Sequence, residues 1–246
     1  MANSYFRFRQ FTINQDRCAM KVTTDGCLFG AWTVRELQEH VKERPVTDLL
    51  DIGTGTGLLS LMIAQELVTS IMAVEIDDAA AEQAKENVTA APWQDRIRVV
   101  QGDIRGWDPG KKFDVIVSNP PFYENELASP GRGRNMAHHA GGLLLRELID
   151  EVKRLLAAEG VFCVLLPAKR AVEVEQRFGD AGLNVYKKAV VHASPSHSPS
   201  RVMYVLGFEP REAEEKTIFI RGEDGGYSEE FRGLLGGYYL SERLPA

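Results

Sequence analysis

The sequence predicts an α/β protein built on a doubly wound, mostly parallel sheet. Short apolar runs rich in Val, Ile and Leu alternate with segments of helical pattern from residue 46 onward. Strands joined through helices usually pair in parallel, and helices cover both faces of such a sheet. The last two apolar runs have no helix between them, so we expect these strands to pair antiparallel at the end of the sheet.

Each element follows from a local signal. The run 46–52 stops at glycines, and the apolar segment 58–67 after it is long enough for a buried helix. The segment 77–88 is Ala-rich and charged, with acidic residues at its start, which favours a helix. Two later helical segments end near glycines, Gly160 and Gly182. In chain order, the predicted strands are 46–52, 71–76, 97–100, 113–119, 161–166, 183–193 and 201–209, and the predicted helices are 58–67, 77–88, 141–158 and 169–181.

Composition and charge limit the possible functions. A chain of 246 residues with 44% hydrophobic and 26% charged residues is made up like an ordinary globular protein, which excludes a disordered or collagen-like chain. We expect residues 1–45 to form an N-terminal cap or arm before one domain over 46–246. The net charge of −6 argues against indiscriminate binding to nucleic acid or membranes, but it leaves room for a local basic face.

Three features favour a cytoplasmic protein. No apolar stretch approaches the roughly 18 residues that a membrane-spanning helix needs. The first residues, MANSYFRFRQF, lack the apolar core of a signal peptide. Cys18, Cys27 and Cys163 form no CxxC pair, so we expect buried, reduced thiols.

A glycine-rich loop, DIGTGTG at 51–57, lies between the first strand and its helix. Gly53 and Gly55 let the backbone bend tightly and approach a ligand, and Gly57 lets the next helix pack close. Glu75 ends the following strand, where a carboxylate can accept hydrogen bonds from both hydroxyls of a ribose. The loop alone is also compatible with a tight structural turn, and together with Glu75 it would also suit NAD.

The spacing of the glycines favours a different ligand. Dinucleotide loops have the pattern G-x-G-x-x-G, in which a helix N-terminus faces a pyrophosphate. Here the glycines run G-x-G-x-G behind Asp51, whose charge would repel a pyrophosphate but suits a cationic ligand that carries an amino acid. The loop resembles the S-adenosylmethionine loop of class I methyltransferases. In that family the position of Glu75 holds the ribose, and an acidic residue after the third strand contacts the adenine amine. Asp103, followed by Ile104, has that place here, although a solvated loop would also suit it.

The sequence Asn119-Pro120-Pro121-Phe122 follows the fourth strand directly. Two prolines fix φ and remove two backbone donors, which leaves a rigid turn that presents acceptors and an aromatic ring. In a doubly wound sheet this turn lies at the carboxyl end of a central strand, where such folds bind ligands. The alternative is a Pro-Pro stop after the strand with a core Phe.

These residue types suit methylation of a planar amine. An exocyclic amine of adenine, or a carboxamide nitrogen, has a delocalised lone pair and is a poor nucleophile. If the Asn119 side-chain oxygen and the Pro120 carbonyl each accept one N–H, the nitrogen is held and its lone pair can turn toward a methyl donor. Transfer from a sulfonium is an in-line displacement, so positioning supplies most of the catalysis and no metal is expected. Phe122 would stack on the flat acceptor.

The motifs together carry a closer resemblance. Asn-Pro-Pro-Phe is similar to the N-P-P-[FYW] motif of amino-methyltransferases. Three segments in order resemble the bacterial adenine-N6 methyltransferases that modify valine-accepting tRNA: RFRQFTINQDRCAMKVTTDGCLFGAW (7–32), LLDIGTGTGLLSLMIAQ (49–65) and NPPFYENELASPGRGRNMAHH (119–139). The resemblance implies a class I methyltransferase with a Rossmann-like sheet of seven strands, S-adenosylmethionine as cofactor and tRNA as partner. The implied target is the adenosine just 3′ of the anticodon, position 37. The resemblance also places Lys21, Thr24 and Asp25 over the cofactor, near its methionine end.

Two basic segments are candidate RNA contacts. Arg7 and Arg9 alternate with aromatic residues, as suits an arm that stacks on bases and neutralises phosphate, but an edge strand with inward aromatics gives the same pattern. Arg132 and Arg134 follow the tetrapeptide and would reach backbone phosphates beside a target base, or they belong to a solvated loop. The five histidines show no spacing typical of a metal site.

Other functions share these motifs. Protein methyltransferases that modify a glutamine amide, as in release factors, usually carry Tyr after Asn-Pro-Pro and a separate helical N-terminal domain, whereas this chain has Phe122 and a short N-terminal segment. Methylation of adenine in ribosomal RNA or DNA is a further alternative. A module that binds the cofactor without turnover is the last, and the intact tetrapeptide argues against it. No obligate protein partner is evident.

Overall fold

The computed structural model describes residues 3–120 and 143–244. Its strands are β1 (Tyr5–Arg7), β2 (Thr12–Asn14), β3 (Asp48–Ile52), β4 (Ser70–Glu75), β5 (Ile97–Gln101), β6 (Phe113–Ser118), β7 (Leu156–Pro167), β8 (Asn184–His192), β9 (Pro199–Gly207) and β10 (Glu214–Phe219). Its α-helices are α1 (Thr24–Glu43), α2 (Leu58–Glu66), α3 (Asp78–Thr89), α4 (Leu145–Leu155), α5 (Ala171–Asp180) and α6 (Glu229–Leu235). In the described residues, eight strands form one sheet in the order β5–β4–β3–β6–β7–β9–β8–β10, and β1 pairs with β2 in a separate hairpin.

The predicted fold class is confirmed. The strands β5, β4, β3, β6 and β7 are neighbours in the sheet and pair in parallel. β9 runs antiparallel between β7 and β8, so the hairpin expected from the last two apolar runs is present. Helices lie between successive strands through most of the chain, as a doubly wound sheet requires.

The sheet has one strand more than the seven that the sequence predicts. β10 pairs in parallel with β8 at the edge of the sheet. Its first four residues are exposed, and Ile218 is its one fully buried side chain. A strand that buries so little shows no apolar alternation, which is why the segment EEKTIF gives no strand signal.

The boundary between α4 and β7 also differs from the prediction. The expected helix extends to residue 158, but α4 ends at Leu155 and β7 begins at Leu156, which pairs with Phe113. A Cβ atom at Gly160 would lie 2.9 Å from the carbonyl oxygen of Asp114. Glycine is therefore needed at this position because two strands approach closely, and it does not end a helix.

Alternating side chains of the central strands enter two separate cores. One core contains Leu49, Ile71 and Val115 with the apolar faces of α1, α2 and α6. The other contains Leu50 and Ile116 with side chains of α4 and α5. The three cysteines are free and buried, as predicted. Within the described ranges, no helix is long and apolar enough to cross a membrane.

The topology brings several chain segments to one edge of the sheet. The carboxyl ends of β3, β4, β5 and β6 meet there because these strands are parallel. β9 runs the other way, so its first residues reach the same edge, and Arg201 pairs with Pro167 at the end of β7. This edge is where a doubly wound sheet binds its ligands.

Candidate cofactor and substrate site

The glycine loop after β3 is tied to the end of β4. The backbone N–H groups of Gly53 and Thr54 donate to the Val74 carbonyl at 2.9 and 3.2 Å. The Gly55 N–H donates to Glu75 Oε2 at 2.9 Å, and the Asp77 N–H donates to Glu75 Oε1 at 2.9 Å. Glu75 is almost fully buried, and it fixes the loop relative to the neighbouring strand.

The loop backbone borders open space. Gly53 and Gly55 have φ of 72° and 57°, in the left-handed region that side chains other than glycine rarely adopt. A Cβ atom at either position would meet no protein atom within 4 Å. The glycines therefore serve the turn and leave room above it for a ligand.

Asp51 is fully buried just before the loop. Its Oδ2 accepts hydrogen bonds from the Thr54 hydroxyl at 2.6 Å and the Ser60 hydroxyl at 2.7 Å. Burial raises the pKa of Asp51 to about 6, against the lowering effect of these hydrogen bonds. The other oxygen, Oδ1, has no hydrogen-bond partner among the described residues. A buried carboxylate with one unpaired oxygen suits a ligand that carries a cation.

A cleft unites three of the predicted motifs. Lys21 and Asp25 come from the N-terminal segment, Gly53 and Gly55 from the loop, and Asn119 with Pro120 from the end of β6. The described residues that line the cleft are Met20, Lys21, Val22, Thr23, Asp25, Gly26, Gly53, Thr54, Gly55, Thr56, Leu58, Leu59, Asn119, Pro120, Leu165 and Arg201. One cleft therefore contains both the glycine loop and the two predicted hydrogen-bond acceptors, Asn119 and Pro120.

Six of the predicted cofactor residues are not among those that line this cleft: Thr24, Asp51, Gly57, Glu75, Asp103 and Ile104. Thr23 caps α1 by accepting a hydrogen bond from the Gly26 N–H at 3.1 Å, and Thr24, one residue further along the helix, lines a neighbouring cavity. Asp103 follows β5 as predicted, and the Arg105 guanidinium, 2.7 Å from its Oδ2, lowers the pKa of this carboxyl. Ile104 is buried.

The structure describes two of the four residues predicted to contact RNA, Arg7 and Arg9. Arg7 is exposed on β1, whereas Arg9 donates to the Tyr239 carbonyl at 2.6 Å. Phe8 and Phe11 are buried and stack on each other with their ring centroids 4.5 Å apart, so these aromatics point inward and are not free to stack on bases. Four further predicted site residues lie outside the described part of the chain: Pro121, Phe122, Arg132 and Arg134.

The cleft contains two side chains that sequence reasoning missed. Arg201 lies at the start of β9, with its Nε 3.1 Å from Asp25 Oδ2. Leu165 of β7 also lines the cleft. The signal for Arg201 was present, because an antiparallel strand begins at the edge where its parallel neighbours end.

Comparison with known proteins identifies the family of the chain. Residues 33–178 match the model of the methyltransferase small domain family. The tRNA1(Val) (adenine(37)-N6)-methyltransferase of Phocaeicola vulgatus is 43% identical, over 98% of this chain and 100% of the relative. The enzyme of the same name from Bacteroides thetaiotaomicron is 40% identical, over 98% of this chain and 99% of the relative.

The chain belongs to the family of tRNA1(Val) (adenine(37)-N6)-methyltransferases. The family suggested by the motifs is thereby confirmed. Among solved structures, a predicted O-methyltransferase from Agrobacterium tumefaciens superimposes with a TM-score of 0.64 at 16% identity, covering 87% of this chain and 96% of that one. That similarity supports the fold.

The site fits S-adenosylmethionine, the methyl donor expected from the motifs. The unpaired Asp51 Oδ1 would supply a buried negative charge for the donor's ammonium group, and the open space over Gly53 and Gly55 would accommodate atoms that a Cβ would displace. Glu75 Oε2 accepts from the Gly55 N–H of the loop and Oε1 from the Asp77 N–H just before α3, which leaves acceptor capacity on both oxygens for ribose hydroxyls.

Gly55→Ala tests whether the open space is a ligand site. A Cβ at φ 57° is strained by about 1 kcal/mol, and it enters the space over the loop. We expect the Kd for S-adenosylmethionine, measured by calorimetry, to rise at least about tenfold. Gly110→Ala is the matched control, since Gly110 has φ 70° and an equally open surrounding but precedes β6 at the opposite edge. It should lose similar stability and keep its affinity. Equal affinities in both variants would contradict this role.

Asp51→Asn should make the ligand-free protein more stable at neutral pH. The folded pKa is raised, so the contribution of Asp51 to stability is present at low pH and is lost as the pH rises through about 6. We expect wild type and variant to unfold at similar temperatures near pH 4, and the variant to be more stable by on the order of 2 kcal/mol above pH 7. Binding of S-adenosylmethionine should be lost. If the ligand-free wild type is more stable than Asp51→Asn at pH 8, the prediction is wrong, and the hydrogen bonds to the Asp51 carboxylate offset the cost of burying its charge.

Proposed function

We propose that this protein transfers the methyl group of S-adenosylmethionine to N6 of adenosine 37 in tRNA(Val), the reaction named for its relatives. The observation that carries the proposal is the cleft in which Asn119 and Pro120 lie together with the glycine loop. An adenine amine held by Asn119 and Pro120 is then next to a methyl donor held by the glycine loop.

One group of residues holds the methyl donor, and another positions the acceptor amine. Bound S-adenosylmethionine supplies an electrophilic methyl group on a sulfonium. Asp51 and the glycine loop hold its amino-acid end, Glu75 accepts from the ribose, and Asp103 with Ile104 borders the adenine. Lys21 adds a contact from the N-terminal segment, whereas Thr24 faces the neighbouring cavity.

Asn119 and Pro120 position the adenine amine. The Asn119 side-chain oxygen and the Pro120 carbonyl each accept one N–H, which fixes the nitrogen and turns its lone pair out of conjugation toward the donor. Phe122 stacks on the base. The positive charge that develops on nitrogen is stabilised by these two acceptors, and the extra proton leaves after transfer. The target base must be splayed from the strand to reach this depth.

A tRNA substrate also indicates which residues contact RNA and where in the cell the enzyme works. The RNA contacts are Arg7, Arg9, Arg132 and Arg134, and the enzyme works in the cytoplasm, where tRNA is modified. The mechanism requires no metal and no protein partner. In the described residues, no group of three or more His, Cys, Asp or Glu side chains is arranged to hold a metal ion.

One assay separates the alternatives. The purified protein is incubated with methyl-labelled S-adenosylmethionine and, in separate reactions, unmodified tRNA, ribosomal RNA, duplex DNA or a release factor. N6-methyladenosine from tRNA alone is the expected result. Label recovered as methylglutamine would establish a protein methyltransferase instead. Cofactor binding without label in any reaction would indicate a module without turnover.

A further inference from the structure

A second cavity lies at the same edge of the sheet as the cofactor cleft. It has a volume of about 880 Å³ and is lined by residues of two loops, 193–197 after β8 and 220–227 after β10. We call it the loop cavity. Thr24 lines the loop cavity, while its neighbours Thr23 and Asp25 line the cofactor cleft. The first turn of α1 is therefore a shared wall between the two spaces.

Three flat groups stack from the core out to the loop cavity. Phe231 is fully buried, and its ring stacks on Tyr227 with a centroid distance of 4.6 Å and an interplanar angle of 18°. The Arg221 guanidinium carbon lies over the Tyr227 ring, 4.7 Å from its centroid. Because Phe231 covers one face of Tyr227, the guanidinium covers the other and is the outermost layer of the stack.

Arg221 is held in place but keeps free donors. Its Nη1 donates to the Gly225 carbonyl at 2.7 Å, and the side chain is exposed. Among the described residues, no carboxylate pairs with it, and its Nε and Nη2 groups have no partner. A guanidinium whose orientation is already fixed loses little entropy when it binds, and its flat face and N–H groups suit a base and a phosphate.

The loop 193–197 carries small polar groups, and its Ala193 carbonyl accepts a hydrogen bond from the Arg221 backbone N–H at 3.0 Å. The Ser194 hydroxyl lies 2.7 Å from His197 Nδ1, and the His197 carbonyl lies 2.7 Å from His192 Nδ1, so the loop is held by its own contacts. Ser196 also lines the cavity, and Glu223 is an acidic group on the other loop. The cavity thus offers hydroxyls, an imidazole and a cation beside an aromatic stack, which is the mixture that single-stranded RNA binds.

We propose that the loop cavity binds a nucleotide adjacent to the target adenosine, with the outer face of the Arg221 guanidinium against its base and the free N–H groups toward its phosphate. The inference rests on the proposed function. An adenosine splayed into the cofactor cleft carries its neighbouring nucleotides along the same sheet edge, and the loop cavity is the adjoining space there.

The test compares variants of the full chain on unmodified tRNA(Val). Arg221→Ala removes the guanidinium, and Ser196→Glu places a negative charge on the loop 193–197 that lines the same cavity. We expect the KM for tRNA to rise about tenfold in each, with kcat and the Kd for S-adenosylmethionine within about twofold of wild type. Arg211→Ala is the matched control, since Arg211 stacks on Tyr186 at 3.7 Å but follows the end of β9 at the opposite edge. It should behave as wild type.

The outcomes distinguish this inference from the proposed function. Wild-type KM values for Arg221→Ala and Ser196→Glu, in a protein that methylates tRNA, would overturn the inference and leave the function intact. An equal rise of KM in Arg211→Ala would also overturn it, because the effect would then be general charge loss. A wild-type protein that binds S-adenosylmethionine but methylates no tRNA would contradict the proposed function and this inference with it.

Discussion

Asn119→Ala is expected to lower kcat by about 10³-fold while the Kd for S-adenosylmethionine stays within about threefold of wild type. Asn119 lies in the cleft beside Pro120 and the glycine loop, and its side chain is half-buried. Removal of the side-chain oxygen leaves one acceptor for two N–H groups, so the amine is free to rotate. Because the donor is held by other residues, its affinity is expected to change little.

The control for Asn119 is Asn184→Ala. Asn184 donates from its side-chain Nδ2 to the Phe208 carbonyl at 3.0 Å, at the opposite edge of the sheet. Both variants are compared by single-turnover rate, cofactor titration and thermal unfolding. A single-turnover rate for Asn119→Ala near that of Asn184→Ala would show that the Asn119 side chain does not take part in methyl transfer.

Glu75→Ala is expected to have a large effect on cofactor affinity. Each carboxylate oxygen accepts a backbone N–H at 2.9 Å, one from Gly55 in the loop and one from Asp77 just before α3, and has a further lone pair for a ribose hydroxyl. Loss of charged hydrogen bonds, each worth about 1.5–3 kcal/mol, predicts a Kd about 100-fold higher. At saturating cofactor, kcat should recover to within a few-fold of wild type, since Glu75 does not touch the acceptor base.

Glu82→Ala is the matched control for Glu75. Glu82 is exposed on α3 and pairs with Lys85 at 2.6 Å, so its removal changes the same charge without touching the loop. Calorimetric titration at equal ionic strength compares the two variants. A Kd for Glu75→Ala within about twofold of the Glu82→Ala value would show that the cofactor's ribose binds elsewhere.

The fold follows from the sequence wherever strands are buried on both faces. β3, β6 and β7 contain buried apolar runs, and the helical segments between the predicted strands indicate parallel pairing. β10 could not be predicted in this way, because an edge strand that buries Ile218 alone lacks both alternation and apolar content. Gly160 shows the other limit, since the sequence does not reveal whether a glycine ends a helix or admits a neighbouring backbone.

The site is predictable where the motif is local. Gly53, Gly55 and Asn119 line the cleft because each motif directly follows a strand that the sequence predicts. Thr24 shows why more distant contacts are harder to assign, since one residue along a helix corresponds to a rotation of about 100°. The capping position of Thr23 puts the two threonines in different spaces, and only the three-dimensional structure shows that register.

The most direct test of the central claim maps the methyl group on the RNA. Unmodified tRNA(Val) and a transcript with guanosine in place of adenosine 37 are incubated with the protein and deuterium-labelled S-adenosylmethionine, digested with nuclease and sequenced by mass spectrometry. We expect one labelled N6-methyladenosine, at position 37, and no label on the guanosine transcript. Label on another nucleotide, or equal label on both transcripts, would contradict this expectation.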